Sequence, residues 1–150
     1  MVGEPTAKTG QLVWYPYLWA RQRESGETAG RKERPCCLLI PALNPTTGRT
    51  VLYLLAISTR PPGQDQKAIP IPEIERRRAG LAEWKAQSWV YISEYNRDVL
   101  QTSFYFEPGE AAIGSFSAPF VRKVAIEFRS TVLNRAAKAV DRQAGERDAE

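Results

Sequence analysis

The sequence predicts a mainly β domain with a short helix and one long C-terminal helix, and three observations carry that reading. Short runs rich in β-branched and aromatic residues recur at Gln11 to Trp19, Cys36 to Ala42, Thr50 to Ser58 and Ser88 to Ser93, punctuated by proline, glycine and asparagine. Helical spacing is confined to Pro72–Leu81 and to the stretch after Ser117. A chain of 150 residues with 43% hydrophobic and 25% charged residues can enclose one core without metal or disulfide. Four to six short strands and a terminal helix then make a compact β-barrel or a strongly bent sheet capped by that helix.

Residues 1–9 lack apolar periodicity and read as a flexible lead-in. Gln11 to Trp19 is the first strand, interrupted at Pro16, with Trp14 expected in the core. Ala20 to Glu33 carries seven charged residues with Gly26 and Gly30, and reads as a mobile loop joining two strands. Cys36 to Ala42 is the second strand, Asn44, Pro45 and Gly48 a tight turn, and Thr50 to Ser58 a central third strand that Pro61 and Pro62 end. Lys67 to Ile71 is an edge strand because of Pro70.

Pro72 to Leu81 opens on proline and acidic residues, closes on Arg76, Arg77 and Arg78, and stops at Gly80, as a short helix should. Ser88 to Ser93 alternates as a strand that ends at Glu94, and Phe104 to Phe106 adds another before Pro108 and Gly109. Ser117 caps the long helix, whose apolar stripe is Val121, Val124, Ala125, Phe128 and Val132. The single domain spans 10–133, and 134–150 reads as a charged, fraying tail.

No apolar run reaches the ~20 residues of a spanning helix, and no signal peptide is visible, so a cytoplasmic protein with no membrane partner is expected. Cys36 and Cys37 are adjacent, point to opposite faces of a strand and read as reduced packing residues. With no histidine and one cysteine pair, no metal site and no cofactor is expected. The net charge of +4 suits RNA or DNA without identifying either. Placement says more. Arg21, Arg23, Arg31, Lys32 and Arg34 fall in one interval, bordered by Trp19, and Thr59 and Arg60 follow the third strand. A guanidinium held where a loop becomes a strand can grip a phosphate bidentately.

The Gly10 to Trp14 strand entrance, Arg34-Pro35 before an apolar strand, Ala56-Ile57-Ser58-Thr59-Arg60 at the end of the third, and Ile113-Gly114 leading into the last helix resemble the PemK/MazF family of toxin-antitoxin toxins. The resemblance implies an SH3-like barrel, a homodimer, a cognate antitoxin and a metal-independent endoribonuclease that cuts single-stranded RNA. It further implies that Arg34 and Ser58 are catalytic, with serine where the family more often has threonine. In such chemistry the ribose 2′-OH attacks its own phosphate. Arg34 then stabilises the developing charge, Ser58 hydrogen-bonds a phosphate oxygen or the 2′-OH, and Glu94 is the candidate base. Trp19, Arg21, Arg23, Arg31, Lys32, Thr59 and Arg60 are the candidate RNA-binding residues. Against these stand plainer readings: a surface carboxylate for Glu94, a salt bridge to Glu33 or Glu94 for Arg34, and a non-catalytic nucleic-acid- or protein-binding barrel for the whole.

Overall fold

A computed structural model of the chain describes residues 7–30, 32–40, 48–82, 84–105 and 112–143. In chain order the elements are β1 (Gln11–Tyr15), α1 (Ala20–Glu24), β2 (Arg34–Leu39), β3 (Val51–Ser58), β4 (Ala68–Pro70), α2 (Glu73–Arg78), β5 (Trp89–Tyr91), β6 (Glu94–Val99), β7 (Gly114–Ser115), α3 (Ala118–Leu133) and β8 (Lys138–Asp141). The domain is mainly β, as the sequence predicts.

β3 organises the sheet because it is paired along both edges. On one side it meets β2, with Cys36 opposite Ala56 and Leu39 opposite Tyr53, and β1 and β7 follow outward. On the other side two strands share it: β6 takes Val51 to Leu54, and β5 takes Ile57 and Ser58. β4 flanks β5, and β8 lies parallel to β6. The fork arises because the chain breaks at Ile92 and Ser93, so the predicted strand that ends at Glu94 is two strands, the second starting there. No pairing among the described strands closes the sheet into a barrel.

Both faces of the central strands are buried, which explains their near-continuous apolar sequence. Cys37, Leu39, Leu55 and Ile57 join one core with α3, whereas Cys36, Leu38, Leu52, Leu54 and Ala56 join another with Tyr15, Tyr17 and Trp19. The adjacent cysteines therefore do point to opposite faces, and both are free.

α3 starts where predicted, the Ser117 side chain accepting from Phe120 N–H. Its buried stripe is Phe120, Val124, Phe128 and Thr131, with Val121 and Ala125 at the margin and Val132 38% exposed. Each buried apolar side chain contributes about 1.5–3 kcal/mol against about 1 for the cap, so the stripe sets how the helix lies. It is followed by β8 and is not the last element.

Four further expectations need correction. Ala20 to Glu24 is helical rather than loop, because Trp19 is anchored and the Gln22 side chain accepts from its N–H (3.1 Å). The expected fraying after Asn134 gives way to β8, and Arg142 just beyond it is 2% exposed. Trp14 is 43% exposed rather than core. Phe104 and Tyr105 are not in a strand, and Phe106, Pro108 and Gly109 lie outside the described residues. So do Asn44 and Pro45. Gly30 is required where it stands: a Cβ there would lie 2.2 Å from the Pro16 carbonyl oxygen.

Candidate functional site

Two of the three predicted catalytic residues, Arg34 at the start of β2 and Ser58 at the end of β3, meet at one cleft. Tyr15 of β1 lies opposite Arg34, and Ser58 lies opposite Trp89. The β2–β3 pairing ends at Cys36 and Ala56, two residues short of Arg34 and Ser58, and both of these line one cleft. By strand alternation both share the face of Cys36 and Ala56. Arg34 is the first residue of its strand, where Pro35 is tolerated.

Trp19 is the platform behind them. Its ring meets Tyr17 and Tyr91 edge-on, at centroid separations of 5.0 and 5.3 Å. Two guanidinium groups stack on it, Arg34 at 5.2 Å and Arg21 at 5.0 Å from the centroid. Two cations over one ring leave a site that an anion would relieve. Among the described residues no hydrogen bond or salt bridge uses the Arg34 guanidinium, and its Nε is buried without a partner. The expected salt bridge to Glu33 or Glu94 is therefore not formed.

A cleft of about 390 Å³ opens at this sheet end. Lys32, Glu33, Arg34, Ser58 and Thr59 line it together with the apolar Trp14, Ile57, Leu81 and Ile113. A second, of about 410 Å³, is lined by Trp19, Arg21, Arg60 and Tyr91, and the two meet at Ser58. Ser58 Oγ accepts from Arg60 N–H at 3.1 Å, which leaves the hydroxyl proton free to donate. Tyr91 O–H donates to the Arg60 carbonyl and fixes that corner.

Glu94 is not at the cleft. It is 6% exposed, lines neither cavity, and its Oε2 accepts from Ala20 N–H (2.8 Å) and Tyr17 O–H (3.1 Å). Burial raises its pKa above the usual carboxylate value, partly offset by those two donors. The reading of it as a surface carboxylate gives way to an internal anchor. Beside it Asn96 accepts from Leu18 N–H (2.9 Å) and donates to Leu18 C=O (2.7 Å), so the two side chains strap the Pro16 to Ala20 segment, and with it Trp19, to β6.

Of the other candidates, Arg23 is half-buried on α1 and lines neither cleft, and Arg31 lies outside the described residues. Trp14, Tyr91 and Ser88, which also lines the first cleft, were not singled out for the site. Only Trp14, an aromatic on a strand entering the basic region, carries a sequence signal for it. The assembled groups can hold an anion at Arg34 and donate a hydrogen bond from Ser58. No helix among the described residues is long and apolar enough to cross a membrane. Comparison with models of protein families, and with curated proteins, gives no match.

Proposed function

We propose that the chain is a metal-independent endoribonuclease of the toxin-antitoxin kind, acting on single-stranded RNA at the Arg34–Ser58 corner. The observation that carries this is the Arg34 guanidinium, stacked on Trp19, unpaired among the described residues and sharing a cleft with a free serine proton. In the reaction the 2′-oxygen forms a bond to the adjacent phosphorus while the bond to the 5′-oxygen breaks. The 2′-OH proton passes to solvent and the departing oxygen takes one from solvent, leaving a cyclic phosphate and a 5′-OH. Arg34 stabilises the extra negative charge without reorganising, and Ser58 donates to a non-bridging oxygen. The resemblance to PemK/MazF toxins supports the same roles, with an SH3-like barrel, a homodimer, a neutralising antitoxin and a cytoplasmic setting.

The burial of Glu94 favours a second reading, a barrel that binds single-stranded nucleic acid without cutting it. One experiment separates the two: a long single-stranded RNA in EDTA with wild type, Arg34→Ala and Arg34→Lys. Cleavage by wild type that falls at least a hundredfold in Arg34→Ala, and is only partly restored by lysine, supports the nuclease. Binding without cleavage supports the second reading, and equal cleavage by all three removes Arg34 from the site.

A further inference from the structure

The first cleft has apolar lining that the phosphate chemistry leaves unused. Trp14, Ile57, Leu81 and Ile113 form it, and a phosphate gains nothing among them. A volume of about 390 Å³ exceeds what one phosphate fills and lies within the range of small-ligand pockets. At its mouth Trp14 presents an aromatic surface to solvent from the end of β1. Flat apolar rings stack on such a surface without needing hydrogen bonds.

Ser88 lines the same cleft, is 3% exposed, and its Oγ has no hydrogen-bond partner. Its carbonyl accepts from Ile71 N–H (2.9 Å) and Gln87 Nε2 (2.8 Å), so the backbone is fixed and the hydroxyl can adjust only by rotating about χ1. The free protein already carries the cost of desolvating that hydroxyl. A ligand that brings a nitrogen or oxygen to it recovers a hydrogen bond, and a ligand that brings carbon does not.

We infer that this apolar lining forms a nucleobase pocket, in which the base next to the phosphate at Arg34 stacks on Trp14 and Ser88 reads its edge. The inference rests on the nucleic-acid reading of Arg34 and goes beyond it by assigning sequence preference to one hydroxyl. Because a hydroxyl both donates and accepts, it selects among bases by where their edge heteroatoms fall.

Fluorescence anisotropy with short RNA strands tests this. One central nucleotide carries adenine, cytosine, guanine, uracil or no base, and is 2′-deoxy so that binding is measured apart from cleavage. Wild type should prefer one base, and Ser88→Ala should weaken that strand about twofold to tenfold, the worth of one neutral hydrogen bond, while leaving the abasic strand unchanged. Ser88→Cys, close in shape with a weaker donor, should fall between them. Trp14→Ala should weaken every base-bearing strand alike. An unchanged base preference in Ser88→Ala, or an equal loss on the abasic strand, overturns the base pocket while leaving Arg34 standing. Failure of wild type to bind the abasic strand, or equal binding of it by Arg34→Ala, overturns both readings.

Discussion

Replacing Glu94 tests whether this carboxylate holds the site together or performs its chemistry. Glu94→Ala leaves two buried donors, Ala20 N–H and Tyr17 O–H, without an acceptor. At about 1–3 kcal/mol for each orphaned donor, the loss comes to about 2–6 kcal/mol. A domain of this length loses about 2–4 °C of melting temperature per kcal/mol, so the variant should melt about 4–24 °C lower. Glu94→Gln keeps an oxygen for both donors and removes the buried charge. The folded-state pKa of Glu94 is raised above its ordinary value of 4.5, so the folded chain holds that proton more tightly than the unfolded chain. Its contribution to stability is therefore complete below pH 4.5 and is lost as pH rises through the raised value. Glutamine does not titrate, so Glu94→Gln should gain on wild type as pH climbs from about 4 to 8. Calorimetric melts across that range read it out. Parallel curves for wild type and Glu94→Gln, or a Glu94→Ala variant as stable as wild type, refute the anchor. RNA cutting by Glu94→Gln should persist, and abolished cutting in a folded variant would return Glu94 to the chemistry.

Two other measurements follow from the same packing. Burial pushes the Cys37 thiol up to about 12 and that of Cys36 higher still, so an aromatic disulfide reagent at pH 8 should label neither in the native protein and both in guanidinium; rapid native labelling would show that β2 is not buried on both faces. Arg142→Ala should cost about 2–4 kcal/mol in urea unfolding, because it strips a donor from the Pro16 carbonyl and from Asn96 and removes the stack on Tyr105, 3.9 Å from its ring centroid. The exposed Arg129→Ala should stay within about 0.5 kcal/mol, and equal small effects would mean that the end of the chain frays as its composition suggests.

What was legible in the sequence was whatever depends on neighbours along the chain. β1 to β5, the α2 helix with its glycine stop, and the Ser117 cap all follow from local spacing and turn chemistry. The pairing of Arg34 with Ser58 came from resemblance, and the two residues line one cleft. What was not legible depends on which segment covers which face. Glu94, Asn96 and Asp98 alternate along β6, a strand the sequence reading did not find, and they are among the most buried of the described residues. The row is covered by the Pro16 to Ala20 segment. Proline removes a backbone donor at Pro16, and the segment then bonds to β6 side chains rather than to a strand. Asn96 offers one acceptor and one donor to Leu18, as a neighbouring backbone would. Tyr15 O–H donates to Asp98 at 2.7 Å, so each acid or amide in the row has a named task. A polar side chain on a strand is read as exposed because burial without partners is costly. Here the partners on the covering segment, from Tyr15 to Ala20, come from 74 to 83 residues away, and no periodicity within the strand can announce them. The same long-range strapping holds Trp19 in place, so the platform beneath Arg34 depends on residues that local pattern assigns to the surface.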